Sequence, residues 1–191
     1  KIKKMKILLD NGHGVETPGK RSPDGKFREY SYTREVAQKI VTKLLALGYD
    51  AERIVTEDKD ITLGERCRRV NAFCNKLGSS NVIMVSIYNN AAGDATKWMT
   101  GRGWSAYTTP GNTKSDKLAE FLYVEAKKSL PTIKMRTETI DGDSDIEANF
   151  YILKNTNCPA VLTESLFQDN KEEVEFLTST EGKQKIIDLH V

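Results

Sequence analysis

The chain alternates short continuous apolar runs with longer stretches in which apolar residues recur every three or four positions. The first run, Met5 to Leu9, stops at Asn11-Gly12. A short leucine-rich run halted by Asn-Gly reads as a buried strand entering a turn. Residues 15–30 are polar and contain Pro18, Gly19, Pro23, Asp24 and Gly25. They read as a loop, long for a compact domain, which points to function. From Tyr32 to Leu47, Val36, Ile40, Leu44 and Leu47 fall at helical spacing, and Gly48 supplies a stop. Tyr49 to Thr56 reads as a second strand. Thr62-Leu63-Gly64-Glu65 has the capping-box pattern. It opens a helix carrying Leu63, Cys67, Val70, Phe73, Cys74 and Leu77, ended by Gly78. Val82 to Ile87 is a continuous apolar strand, as expected when both sheet faces are covered. Gly103 to Thr109 predicts another strand. Residues 115–129 predict a helix with Leu118, Leu122 and Ala126 inward. Tyr151-Ile152-Leu153 and Ala160-Val161-Leu162-Thr163 read as two more strands, and Lys171 to His190 as helix broken near 178–180. The alternation, with no repeat or linker, predicts one three-layer α/β domain over residues 5–191.

Composition narrows the function classes. A chain of 191 residues, 38% hydrophobic and 29% charged, suits one globular domain with a sizeable core. A formal net charge of +2 is too balanced to argue for a nucleic acid or an anionic membrane as partner. No apolar run approaches membrane-spanning length. Met5 to Leu9 is too short for the apolar core of a signal peptide, so synthesis in the cytoplasm is expected. Lys1-Ile2-Lys3-Lys4 is set aside as a cloning remnant or an upstream extension. Of three cysteines, Cys67 and Cys74 share a helical face with Val70 and read as small buried residues. Cys158 is unpaired by pattern. The odd count without CxxC spacing argues against a disulfide scaffold and a cysteine zinc site.

Four positions carry candidate chemistry. His13, Tyr88 and Glu164 each fall at or just past a strand end, and Glu29 closes the polar loop before a helix. If the strands are parallel neighbours, their ends converge on one rim, where open α/β sheets bind ligands. A histidine, a carboxylate and a third donor can hold a metal while a further glutamate serves as base. Each also has a plain structural reading: Glu29 as a charge on a helix N-terminus, Glu164 as half of an ion pair.

In order, these residues sit in five motifs. They are Asp10-Asn11-Gly12-His13-Gly14; Arg28-Glu29; Thr56 through Asp60 and Leu63 to Arg66, with Asn71-Ala72 behind; Ser86-Ile87-Tyr88-Asn89-Asn90-Ala91; and Pro159 to Glu164 with Phe167 and Asn170. The set resembles the zinc-dependent N-acetylmuramoyl-L-alanine amidases of the type 3 family, from about Met5 to the C-terminus. The resemblance implies a twisted, mostly parallel sheet of about six strands with helices on both faces. It implies zinc held by two histidines and a glutamate with a water in the fourth position, which puts His13, Glu29 and position 88 at the metal and makes Glu164 the general base. It implies peptidoglycan as partner, cut between N-acetylmuramic acid and the first alanine of the stem peptide. Metal-polarised water near neutral pH and a carboxylate within reach of it fit that hydrolysis.

One position departs from the pattern. The family's second histidine is Tyr88 here, and His190, the other histidine of the chain, sits one residue from its end. A phenol ligates well only as phenolate, and its ordinary pKa is about 10. Three readings stand: an amidase weakened or inactivated at Tyr88 with its metal site empty or partly filled, a non-catalytic wall-binding protein on the same fold, and retained zinc with Tyr88 or another group as ligand. Leu166 replaces a family glycine and is expected to narrow the groove beside Glu164. Asn89, Asn90 and Trp104 are candidate substrate-binding residues, with Trp98 as a second candidate for lining a glycan or peptide groove. Arg66 and Asp60 are expected to pair structurally, and Asp141 to Glu147 to form a solvated loop. The expected protein is a monomer acting on the cell wall, of lysin or wall-remodelling type.

Overall fold

The structure, a computed structural model, describes residues 5–138 and 142–191. Its strands are β1 (Lys6–Asn11), β2 (Asp50–Arg53), β3 (Val82–Asn90), β4 (Trp104–Thr108), β5 (Ile146–Glu147) and β6 (Ala160–Phe167). Its helices are α1 (Glu29–Ala46), α2 (Leu63–Leu77), α3 (Lys114–Ser129), α4 (Tyr151–Lys154), α5 (Lys171–Thr178) and α6 (Thr180–His190). The six strands form one sheet in the order β2-β1-β3-β6-β4-β5. β4 meets β6 antiparallel and the other pairings are parallel.

The sheet is covered on both faces. Successive strand residues point to opposite sides, and Leu8 and Leu9, both buried, divide accordingly between two cores. Leu9, Val85, Ile87, Trp104 and Val161 pack with α1, α3 and α6 residues such as Val36, Ala119 and Ile186. Leu8, Met84 and Leu162 pack with Cys67, Val70 and Cys74 of α2 and Ile152 and Leu153 of α4. The three cysteines are free and buried. Thr62 caps α2, its hydroxyl accepting the Glu65 N–H at 3.3 Å. The Glu65 carboxylate completes no box, because it is taken by Arg68 and Arg69. The full reciprocal box belongs to Thr113 and Asp116 at α3.

Three sequence expectations are corrected. Tyr151-Ile152-Leu153 is a helical turn, not a strand. A three-residue apolar run has no period to distinguish the two, and Ile152 and Leu153 are buried against α2 from one turn while Tyr151 stays exposed. The sixth strand is instead Ile146–Glu147, inside the stretch expected as a solvated loop, whose first residue Asp141 lies outside the described residues. β6 runs on to Phe167, so Glu164 is within the strand rather than past its end.

The β3–β6 pairing contains a register shift: Tyr88 faces Glu164, and Asn90 faces Phe167. The extra residue on β6 is accommodated at Leu166, whose φ of +68° lies in the left-handed region. Bulges use that conformation and favour glycine there, which explains the glycine expected by resemblance. Leu166 is fully buried in the core with Leu9, Ile87 and Trp104. It does not narrow the groove beside Glu164, which corrects the expectation.

Candidate active site

The site lies at the carboxyl edge of β1, β3 and β6. β1 ends at Asn11, and the Gly12 N–H donates to the Ile87 carbonyl at 3.0 Å. His13 follows with φ +60°, a strained conformation for a side-chain-bearing residue. Two arginines hold it. The His13 carbonyl accepts Arg34 Nη2 at 2.9 Å and Arg66 Nη2 at 3.2 Å. Arg66 is itself buried, bonded through Nη1 to Asp10 Oδ1 and the Asn11 carbonyl at 2.6 Å each. The second Asp10 oxygen accepts the Ser86 hydroxyl. Gly14 presses on the neighbouring loop so closely that a Cβ there would lie 2.0 Å from the Asp60 backbone nitrogen.

Glu29 is the first residue of α1 and is fully buried. Its Oε1 accepts the Asn89 N–H at 2.8 Å, and its Oε2 lies 3.5 Å from His13 Nε2 with no hydrogen bond of its own. Burial pushes the Glu29 carboxyl up to about 7, against the pull of the Asn89 N–H and the Lys20 charge. Burial, helped by Lys20, pushes the His13 imidazole down to about 3. A neutral imidazole nitrogen and a buried carboxyl oxygen therefore face each other, two donors of the kind divalent zinc takes.

Tyr88 and Glu164 are register partners on neighbouring strands. The Tyr88 ring lies over Gly12, where a Cβ would meet it at 2.7 Å, and stands edge-on to His13 with centroids 5.1 Å apart. Burial first, then the Asp10, Glu29 and Glu164 carboxylates, keeps the Tyr88 phenol protonated well above its ordinary range. Burial and then Glu29 push the Glu164 carboxyl well above the carboxylate range, and its Oε2 has no hydrogen-bond partner. His13, Lys20, Tyr88 and Glu164 line one cavity of about 220 Å³, walled by Leu63, Phe150 and Tyr151. A larger one of about 500 Å³ shares His13, Leu63 and Tyr88 with it and extends over Asp60, Ile61 and Arg66.

The metal site implied by resemblance is not matched in full. His13 Nε2 and Glu29 Oε2 lie 3.5 Å apart, and the third position is a phenol whose burial disfavours the phenolate a metal would need. Among the described residues no group of three His, Cys, Asp or Glu side chains is arranged to hold a metal ion.

The structure brings His13, Glu29, Tyr88 and Glu164 together, with Asn89 bonded to Glu29 through its backbone, and places Trp104, Trp98 and His190 elsewhere. Asn89 is buried, its backbone N–H holding Glu29 and its amide donating to the Ser165 carbonyl. Asn90 uses its side-chain oxygen on the Ala91 N–H. Trp104 is 0% exposed and belongs to the core, so it is no substrate-binding surface. Trp98 is 36% exposed but borders a separate surface groove with Arg102 and Lys171. His190 hydrogen-bonds Thr163 and the Ile186 carbonyl, away from His13. Arg66 does pair with Asp60, at 3.2 Å, while its shorter bond is to Asp10. Asp10, Lys20, Arg34, Phe150 and Tyr151 were not anticipated. Asp10 stood in the histidine motif itself, and Arg34 fell on the inward face of α1; nothing in the polar loop marked Lys20.

Comparisons with known proteins agree with this picture. The sequence profile of the family described as N-acetylmuramoyl-L-alanine amidase matches residues 7–191. An endolysin of Bacillus phage SPP1 is 30% identical over 177 residues, covering 90% of this chain and 58% of the relative. The N-acetylmuramoyl-L-alanine amidase AmiC of Neisseria meningitidis serogroup B is 27% identical over 209 residues, covering 91% of this chain and 48% of the relative. The chain thus spans about half to three-fifths of the length of these curated relatives. The crystal structure of N-acetylmuramoyl-L-alanine amidase from Clostridium difficile 630 superimposes with a TM-score of 0.80 at 23% identity, covering 98% of this chain and 92% of that one. At that identity the likeness shows the fold.

Proposed function

The chain belongs to the N-acetylmuramoyl-L-alanine amidase family, and from that premise we propose that it acts on peptidoglycan at the amide between N-acetylmuramic acid and the first alanine, with activity held low by Tyr88. The observation that carries the reading is the meeting of His13, Glu29 and Glu164 at one strand edge with Tyr88 beside them. Glu164, which lines the cavity, is the acid–base residue: burial favours its acid form, and a cation held by His13 and Glu29 would restore the carboxylate, which takes a proton from the attacking water and returns one to the leaving alanine nitrogen. His13 and Glu29 are the remaining pair of a zinc site, and binding through them alone is weak or partial. Among the described residues no helix is long and apolar enough to cross a membrane. The chain works as a monomer on the cell wall, with neither nucleic acid nor membrane as partner.

A second reading is favoured by the protonated Tyr88 phenol: a wall-binding protein that does not cut. Purified peptidoglycan digested with the unmodified chain and with Tyr88→His separates the two. The amidase reading expects near-background cleavage by the chain and zinc-dependent appearance of new alanine amino termini, without new reducing sugar ends, for the variant. A variant that sediments with peptidoglycan and loads zinc yet releases no amino termini supports the binding reading instead.

A further inference from the structure

Lys20 is tied to the site through its backbone: its carbonyl accepts the Glu29 N–H at 3.1 Å. Its side chain is half-buried and lines the cavity of about 220 Å³ with His13, Tyr88 and Glu164. Its charge bears on all three of His13, Glu29 and Glu164, yet among the described residues its side-chain ammonium makes no hydrogen bond or ion pair. Other lysines of this fold that are partly buried, Lys6 and Lys183, each hold a carboxylate within 3.0 Å. The rest of the cavity wall is largely apolar: Leu63, Phe150, Ile152 and Leu162, with the Tyr151 ring. An ammonium drawn partly out of water into such a wall, without a protein partner, gains most from an anion brought by the ligand.

We propose that Lys20 is a specificity residue that pairs with a carboxylate on the peptide side of the scissile amide. The inference rests on the amidase reading above. Glu164 serves the leaving nitrogen, so the cavity it shares with Lys20 is the one that receives the peptide. The sugar side offers neutral hydroxyl and acetamido groups, which create no demand for a cation. The aromatic wall of Phe150 and Tyr151 then carries the apolar part of the peptide opposite the charge.

Calorimetric titration tests this without turnover. The probes are N-acetylmuramoyl-L-alanyl-D-glutamate and the same compound with both carboxylates amidated. The proteins are the unmodified chain, Lys20→Gln and Lys20→Arg, with circular dichroism confirming that each is folded. The expected result is that the chain binds the carboxylate probe about tenfold more tightly than the diamide, a charge-assisted hydrogen bond's worth. Lys20→Arg keeps most of that preference, and in Lys20→Gln the two probes bind alike. Equal binding of both probes by the unmodified chain, or a preference that survives Lys20→Gln, overturns the role of Lys20 and leaves the amidase reading standing. Failure of the folded chain to bind either probe overturns both.

Discussion

At Leu166 two opposing costs can be weighed. A leucine at φ +68° is strained by roughly 1–3 kcal/mol, a penalty glycine escapes. The same side chain is fully buried, and removing a buried leucine costs about 2–5 kcal/mol. Packing outweighs strain, so Leu166→Gly is expected to destabilise the chain by roughly 1–3 kcal/mol in urea unfolding; a gain in stability contradicts this balance. Arg66 is a second residue with a definite magnitude. Its guanidinium is buried against Asp10 and holds the carbonyls of Asn11 and His13. Arg66→Met leaves Asp10 buried without its partner, for an expected loss of about 3–5 kcal/mol. A loss below about 1 kcal/mol in the same urea experiment argues that the strained His13 turn is held by Arg34 alone. The Arg66–Asp60 pair was legible beforehand; the hold of Arg34 and Arg66 on the His13 carbonyl was not, because a carbonyl carries no sequence signal. The residues His13, Glu29 and Glu164 were legible, since their spacing and motifs marked them.

Among the elements, α2 and α6 carry predictions of different kinds. The Thr62 cap fixes the start of α2, four residues before Arg66. Thr62→Ala is expected to cost about 1 kcal/mol, as for other lost N-caps, measured by thermal unfolding; an unchanged midpoint places the helix start under tertiary control. On α6, the His190 Nδ1 faces the Ile186 carbonyl at 2.7 Å and is therefore the protonated nitrogen, leaving Nε2 to accept the Thr163 hydroxyl at 2.9 Å. Burial pushes this imidazole down to about 4, against the carbonyl's opposite pull. A folded-state value below the unfolded one, about 6.5, means the neutral ring favours the fold. That contribution is complete above pH 6.5 and is lost as pH falls from there to about 4. The melting temperature of the chain should therefore drop more steeply from pH 7.5 to 4.5 than that of His190→Gln; parallel curves contradict the assignment. At this scale sequence reading succeeded where the period was long, at α1, α2 and α3. It failed at Tyr151–Leu153, where three apolar residues fit strand and helical turn equally, and at Ile146–Glu147, too short and too polar to read as a strand.

For the whole molecule, the strand order explains why distant motifs meet. From β1 the chain passes to β2 on one side and then to β3 on the other, so the crevice above β1 and β3 is a topological switch point. His13 follows the first strand there, Tyr88 sits two residues before the end of the second, Glu164 adds the third through β6, and Asn89 fastens Glu29 of α1 across the gap. The fold class was legible from the alternation of elements and the site from the motif order. The side-chain states were not, because the burial of Glu29 and the partial burial of Tyr88 and Glu164 depend on contacts between segments far apart in the chain. On the function proposed above, one side chain, Tyr88, separates this scaffold from a complete metal site. The most direct measurement is zinc content by atomic absorption after dialysis against a mild chelator, for the unmodified chain and Tyr88→His side by side. The expected result is well below one zinc per unmodified chain and close to one for Tyr88→His, since a third imidazole-or-carboxylate ligand closes a tetrahedral site with water. Stoichiometric zinc in the unmodified chain, or none in the variant, contradicts it.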